Sequence, residues 1–493
     1  MNKYIKRLVK IRTTLVLLII IWSACNNKPN NLYSPTDHYA NIYPAYEGTV
    51  IPRNIAPLNF LIKEEGSRFI VRFAITGKDS FDISCKGKVQ IPLKKWKRLL
   101  DKYPNEQLTV SIFAKHASKW VRYQPLQFTI AEDAIDPYLA YRLIEPGYEI
   151  WNKLGIYQRC LESFDEKPII LNSLTGASCI NCHSFRNNNP QTMLFHIRKY
   201  NPGTLFLKDE TVTKINTKTP STLSAGVYPS WHPEGRYVAF SVNSTWLISH
   251  SIHTNKAEVY DTVSDLIIYD TETNTVFSDS LIHSVQSYET FPAWSPDGRY
   301  LYFCSAKARP MPDEYDLLRY DLLRIEFDAS TGSFGNKVDT LVSSALTGKS
   351  VAMARVSPCG KYVVFCMSDY GTFPVWHREA DLYLLNMETD EIRNLSEINS
   401  SQSETYHSWS SNGRWIVFSS RRMDGTFTHP YISYFDAEGN FHKPFLLPQK
   451  DPTYYDFSMK SFNIPEFITG KVKTSPYEFA TVAKGNAIDA KLK

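Results

Sequence analysis

The residues best equipped for chemistry are Cys179, Cys182 and His183, in the run Cys179-Ile180-Asn181-Cys182-His183. Two thiols at this spacing can reach both vinyl-derived carbons along one edge of a porphyrin and close thioether bonds. The histidine that follows then carries an imidazole to the iron as its proximal ligand. C-x-x-C-H is the attachment pattern of a c-type haem. Other uses of the spacing fit less well. A redox C-x-x-C belongs beside a βαβ pattern, which the flanking residues lack. A zinc site needs further ligands close by, and no second cysteine pair exists. A plain disulfide leaves His183 without a role. The chain is therefore expected to hold one covalent haem c, tethered by Cys179 and Cys182 and ligated by His183.

The distal side of the iron is less determined. Met193 and His196 lie on Met193-Leu194-Phe195-His196-Ile197-Arg198, which reads as a strand, so the two point to opposite faces. Met193 is the candidate distal ligand, because thioether ligation raises the potential and suits electron transfer. Its other reading is core packing beside Phe195 and Ile197. His196 or an open position are the alternatives on the iron.

Covalent haem attachment takes place outside the cytoplasm, and the start of the chain agrees. A basic segment from Met1 to Arg12 precedes an apolar stretch from Leu15 to Trp22, then Ser23-Ala24-Cys25. That is the layout of a lipoprotein leader removed after residue 24, with Cys25 acylated as a membrane lipid anchor. Trp22 stands where such boxes usually carry Leu. Residues 25–39 then read as a flexible polar tether. Asn26 points away from inner-membrane retention, so the expected location is the outer membrane facing the periplasm. The net charge of +5 resides in the leader, whose Lys3, Lys6, Arg7, Lys10 and Arg12 have no acidic partner; without them the chain is neutral. A neutral chain offers no nucleic-acid footprint. Beyond the leader no apolar run approaches the ~20 residues of a membrane span. The seven cysteines after Cys25 are an odd number, so some thiols must be used otherwise than in disulfides.

The elements that must position the motif announce themselves by repetition. Trp231-His232-Pro233-Glu234-Gly235-Arg236-Tyr237 is matched by segments starting at Trp294, Val356 and Trp409, with turn glycines at 235, 298, 360 and 413. Pro in the second turn position and Gly in the fourth form a type I turn between two strands. Tyr237, Tyr300, Tyr362 and Trp415 form one column, and Phe240, Phe303, Phe365 and Phe418 form another on the opposite face. The glycine steps of 63, 62 and 53 exceed the ~40–45 residues of a minimal blade, so long loops are expected at 248–263, 307–314 and 370–378. The fourth repeat lacks the proline, and its turn should be looser. Cys304 and Cys366, six residues beyond their glycines, are expected to be small buried thiols.

The string Trp294-Ser295-Pro296-Asp297-Gly298-Arg299-Tyr300-Leu301-Tyr302-Phe303 resembles the repeats of TolB-type β-propellers. The resemblance covers residues 191–472 and implies about six blades, the first starting at Met193 and the last closed by 454–468. With the leader and the haem motif, the chain is similar to TolB-like envelope lipoproteins of the Bacteroidota type. TolB itself binds envelope partners and carries no haem, so that role transfers poorly. The third repeat departs from the pattern at Val356 and Cys359.

Ahead of the propeller, residues 40–134 alternate like a β-sandwich of immunoglobulin size, interrupted by a helix from Leu93 to Lys102. Its Lys94, Lys95, Lys97 and Arg98 read as a solvated face. Residues 135–190 read as a helical linker and haem-attachment segment, whose Tyr148, Trp151 and Tyr157 could wall a porphyrin. With too little apolar surface of its own, 173–190 should order only around haem. Residues 473–493 form a C-terminal tail. The fold expected is mainly β: N-terminal sandwich, short helical or loop haem segment, C-terminal propeller. The expected role is non-enzymatic electron transfer with an unidentified periplasmic or outer-membrane partner. The alternative is a propeller scaffold for protein–protein or glycan-related interactions, its haem structural or sensory. No G-x-S-x-G elbow supports hydrolysis.

Overall fold

In each repeat the turn glycine donates its N–H to the carbonyl three residues back: Gly235 to His232 at 2.8 Å, Gly298 to Ser295 at 3.0 Å, Gly360 to Ser357 at 2.8 Å and Gly413 to Ser410 at 2.9 Å. All four glycines are left-handed, with φ between 67° and 79°. A type I turn that ends in a left-handed residue matches the twist of a hairpin, which is why glycine recurs there. The fourth turn is no looser than the rest. Ser411 stands at its proline position, and its free N–H and hydroxyl both go to the Asp136 carboxylate, at 2.7 and 2.6 Å. The missing proline is a clip to the segment that joins the front domain.

The computed structural model describes residues 33–117, 119–145, 153–250 and 255–493. Residues 1–24, expected to form a leader, and Cys25, Tyr148 and Trp151 lie outside them. The repeats belong to a ring of six antiparallel sheets, numbered here as blades one to six. Blade one pairs Tyr138–Ile144, Leu154–Cys160 and Glu166–Leu171 with Ser461–Ile468 on its inner edge. Blades two to six start from the inner strands Cys179–Phe185, Val227–Trp231, Ser287–Trp294, Ser350–Val356 and Glu404–Trp409. Each inner strand touches the next, and Glu404–Trp409 touches Ser461–Ile468, so the circle closes.

Tryptophan at the head of a repeat links neighbouring blades. The indole N–H groups of Trp231, Trp294 and Trp409 donate to the carbonyls of Ser184, Ser230 and Arg355 on the preceding inner strand, at 3.3, 3.2 and 3.2 Å. Val356 cannot make this bond. The two aromatic columns do face opposite neighbours: Phe240 packs with Leu194 and Phe206 of blade two, and Tyr237 with Leu301 and Phe327 of blade four. Cys304 and Cys366 are free and fully buried, as expected.

Several sequence-based boundaries move. Tyr138–Ile144, Leu154–Cys160 and Glu166–Leu171, in the segment read as helical, are three strands of blade one. The strand Tyr138–Ile144 is buried almost throughout, and a strand covered on both faces loses the alternation that would reveal it. The ring therefore starts near Tyr138, and Thr192–Arg198 is the second strand of blade two. Ser461–Ile468 closes blade one. The segment 173–190 belongs to the ring and not to a helical linker: Cys179–Phe185 is an inner strand, with Ile180 and Phe185 in the core. Part of the tether is also structured, as Tyr33–Tyr39 pairs in parallel with Lys119–Gln124.

The front domain has a seven-stranded and a three-stranded sheet over one core, with Trp96, Leu99 and Leu100 of helix Leu93–Lys102 buried in it. Lys94, Lys95 and Arg98 are exposed on the helix's outer face. That core continues into blade six through Trp409 and Phe435.

The C-terminal tail is structural. Helix Pro476–Lys484 buries Phe479, Ala480 and Ala483 against Phe195, Leu205 and Leu207 of blade two. Ile488–Asp489 and Lys491–Leu492 then cover the outer edges of blades two and three, where an open strand edge would invite wrong pairing. The anticipated loop at 248–263 is instead the upper part of a long hairpin, Tyr237–Ser249 with Ala257–Asp270. This arm is latched to blade five. His377 Nε2 bonds Glu258 at 2.7 Å, His377 Nδ1 lies 3.3 Å from Glu379, and the Tyr370 hydroxyl donates to Glu258 at 2.8 Å.

Two outcomes follow. Phe479→Ala should lower unfolding free energy by about 3–5 kcal/mol, the usual cost of emptying a buried aromatic site, measurable by urea denaturation. For the latch, burial is the largest influence on His377 and by itself pushes it down, but Glu258 and Glu379 together outweigh it and hold the imidazole up at about 9. A folded value above the ordinary 6.5 stabilises fully below pH 6.5, and that contribution is lost as pH rises through 9. Limited proteolysis of the arm should therefore accelerate above pH 9, and His377→Gln should show the fast rate already at pH 7.

Candidate functional site

Each inner strand carries one non-glycine residue in the left-handed region: Cys182 (φ 52°), Tyr228 (47°), Phe291 (51°), Met353 (58°), Tyr406 (48°) and Ile464 (52°). The pairing with the neighbouring strand slips at the same point in all six blades. Such a conformation costs about 1–3 kcal/mol per residue and survives only where surrounding structure imposes it. Here the imposed kink turns six side chains to one axis, and all six line a cavity of only ≈ 50 Å³. They form the throat of the channel. In blades three to six the kinked residue lies seven positions before the turn glycine. That offset is the sequence signal, although no one residue type is common to all four.

Cys182 and His183 thus sit at the axis of the ring. The Cys182 N–H donates to its neighbour's Asn181 Oδ1 at 2.8 Å, and that oxygen also accepts Arg142 Nη1 at 3.0 Å. Arg142 comes from blade one, and its Nη2 points to Cys179 Sγ at 3.8 Å. Neither thiol is bridged. Burial pushes the Cys179 thiol up, and the charges of Arg142 and Arg198 pull the other way. His183 is only 3% exposed, and neither ring nitrogen has a hydrogen-bond partner within bonding geometry. Burial first, then the Arg142 charge, push it down to about 3, against a smaller opposing pull from the Ile464 main chain. The imidazole is therefore neutral at physiological pH, with its lone pair uncommitted. A buried, unsatisfied polar side chain of this kind marks a missing partner or a strained site.

On one side of the throat the channel widens into a funnel of ≈ 720 Å³. Cys179 and Asn181 stand on its wall, Arg142, Arg198 and Arg421 supply cations, and Tyr228 and Tyr406 are shared with the throat. Trp376 contributes an aromatic face over which the Arg421 guanidinium stacks at 3.4 Å. Thr245 and Val259 of the latched arm complete the wall. A void of this size is within the ordinary range for cofactor pockets. On the other side lies a vestibule of ≈ 380 Å³, lined by Trp231, Trp294, Trp409, Arg355 and Glu466. Glu466 accepts the Phe185 N–H at 3.0 Å and is pushed up to about 7 by burial.

The sequence candidates separate here. Cys179, Cys182 and His183 converge on the channel. Met193 does not: it is fully buried in the core between blades one and two, with Phe195, Ile197 and Phe479, and lines neither throat nor funnel. Its place follows from strand alternation, which sends Met193 to the blade interface. His196, on the other face, lines the funnel with its Nδ1 3.0 Å from Thr204 Oγ1. Burial, then Arg198, push it down to about 3. Tyr157 sits in blade one and lines neither void. Arg142, Arg421 and Met353 escaped sequence reasoning, because they come from other blades; Arg198, opposite Cys179 in the same hairpin, is carried there by strand pairing. Among the described residues, no group of three or more His, Cys, Asp or Glu side chains converges to hold a bare metal ion.

Comparison with known proteins adds little at this level. No protein-family model matches the chain. A dipeptidyl-peptidase 5 of Porphyromonas endodontalis is 33% identical over 91 residues, 18% of this chain and 11% of that protein, so the chain spans about a tenth of the length of the curated relative it matches. Among solved structures, an oligogalacturonate lyase in complex with manganese is 13% identical over 62% of this chain and 72% of its own, with a TM-score of 0.35. The dipeptidyl peptidase 4 of Porphyromonas gingivalis is 12% identical over 84% and 62%, with a TM-score of 0.27. Prolyl oligopeptidase B of Galerina marginata is 10% identical over 66% and 41%, with a TM-score of 0.34. Likenesses this distant carry no argument about activity. The mainly β, propeller-like architecture rests on the ring of sheets itself.

Proposed function

We propose that this chain is a TolB-like envelope lipoprotein that holds one covalent c-type haem in its channel and exchanges single electrons with an envelope partner. The observation that carries the reading is the buried His183 imidazole, unpartnered at both nitrogens, beside two unbridged thiols where the throat opens to the funnel. These residues fit the group. Cys179 and Cys182 would supply the two thioether sulfurs, and His183 the proximal nitrogen. Bound there, haem supplies a one-electron iron couple. Arg142 holds Asn181 and faces Cys179, which keeps the motif in one conformation. Arg142, Arg198 and Arg421 give the funnel a positive wall suited to carboxylates, while the packed throat side chains keep water from the far side. Cys25 would anchor the chain by lipid to the outer membrane, facing the periplasm.

A second reading draws on the vestibule. Its polar and tryptophan-lined mouth opens away from the funnel, next to Arg355 and the repeat turns. On this reading the propeller is a docking scaffold for protein or glycan partners, and any haem is structural or sensory.

The decisive preparation is full-length protein exported in a host with cytochrome maturation machinery. Wild type should show a haem absorption spectrum and an intact mass raised by one haem, and should be reoxidised by envelope electron acceptors after reduction. Cys182→Ala should lose the double thioether, and His183→Ala should keep the covalent mass but lose the native low-spin spectrum. Colourless wild type with free or mutually bridged thiols would refute the haem reading. A haem that cannot be cycled would favour the scaffold.

A further inference from the structure

The vestibule that opens away from the funnel has a chemistry of its own. Only two charged side chains line it, Arg355 and Glu466. Both also line the throat, as do Pro229 and Ser408, so these four residues form the vestibule floor at the channel axis. The walls above them are neutral, built from Trp231, Trp294 and Trp409, the turn prolines, and the amides of Asn187 and Asn188.

Arg355 stands on that floor without a counterpart. Its main-chain carbonyl accepts the Trp409 indole, but its guanidinium has neither a hydrogen bond nor an ion pair among the described residues. Glu466 faces the same void, yet it lies beyond ion-pair distance and instead accepts the Phe185 N–H at 3.0 Å. Burial pushes the Arg355 guanidinium down, and the Glu466 charge opposes that only in part. A cation drawn out of water with its donors unpaired carries an uncompensated cost, which an arriving anion relieves. A carboxylate matches the guanidinium fork best, through paired N–H···O bonds. The funnel arginines differ, since Arg142 donates to Asn181 and Arg421 to the Val375 and Thr426 carbonyls.

We propose that the vestibule binds a compact monocarboxylate, its carboxylate seated on Arg355 and its uncharged body among the tryptophans. One unpaired guanidinium sets one anionic group, and a second carboxylate would face Glu466. Asn187 and Asn188 commit side-chain N–H groups to the Pro233, Trp409 and Phe467 carbonyls, which leaves their amide oxygens to accept from hydroxyl or N–H groups of that body. The volume of ≈ 380 Å³ admits a sugar-acid ring or the end of a peptide, and both present the same group. This site does not rest on haem. It rests on the second reading above and deepens it by naming what the vestibule holds.

Isothermal titration calorimetry on the exported full-length protein tests this with glucuronate, N-acetylalanine and, as a neutral control, glucose. At least one carboxylate should bind, and glucose should not. Tighter glucuronate binding identifies a sugar acid, and tighter N-acetylalanine binding identifies a peptide end. Arg355→Gln should weaken binding at least about tenfold, the usual loss for a charge-assisted bond to a carboxylate. Arg355→Lys should recover part of it, keeping the charge without the fork. In wild type, the bound carboxylate should protect Arg355 from phenylglyoxal, read by peptide mapping. The inference is overturned if neither carboxylate binds, if glucose binds as well, if folded Arg355→Gln keeps full affinity, or if a bound carboxylate leaves Arg355 unprotected. It is also overturned if Arg198→Gln is the substitution that abolishes binding, which would place the site in the funnel. A chain that docks proteins or glycans but no free carboxylate would refute this site and leave the scaffold reading standing.

Discussion

Ring closure is the constraint on which the site depends. Ser461–Ile468 returns from the end of the chain to pair with Tyr138–Ile144, and only then do six inner strands share one axis. The closing strand supplies Ile464 to the throat and Glu466 to the inner strand of blade two, and its partner strand supplies Arg142 to Cys179 and Asn181. The Arg142 contacts to Asn181 and Cys179 therefore come from blade one, while Cys179 pairs with Arg198 within blade two. The tail strengthens the same region, because Phe479 packs on blade two and the last strands cap its outer edge.

The kinked positions explain how a haem-type motif can sit on a β-strand. A regular strand sends successive side chains to opposite faces, so Cys182 and His183 would part. The left-handed turn at Cys182, capped by Asn181, breaks that alternation, and both side chains reach the throat. The same device recurs in the other five blades with Tyr, Phe, Met, Tyr and Ile. Cys182 thus occupies a position that the ring already provides, and its cysteine is a local substitution in a repeated scaffold.

Much of this was legible in the residues. The turn glycines, the aromatic columns and the front-domain helix all depend on local chemistry, and each stands where its sequence put it, whereas the C-x-x-C-H run lies on an inner strand and not in a helical or loop segment. The fourth turn misled because Ser411 has a reason for not being proline that lies at Asp136, far away in the chain. Blade one was misread because strands buried on both faces show no period of two. Met193 looked suitable for iron as a thioether donor, yet strand alternation turns it into the core with Phe195 and Ile197. Arg142 and Arg421 of the funnel could not be read at all from local pattern, since they come from other blades, whereas Arg198 stands opposite Cys179 in the same hairpin.

The most direct measurement of the central claim is peptide mapping by mass spectrometry of protein purified after export. The peptide spanning Cys179 to His183 should carry the mass of one haem on two thioether bonds, with the other cysteines unmodified by haem. Recovery of that peptide without added mass, its two thiols free or bridged to each other, would contradict the account.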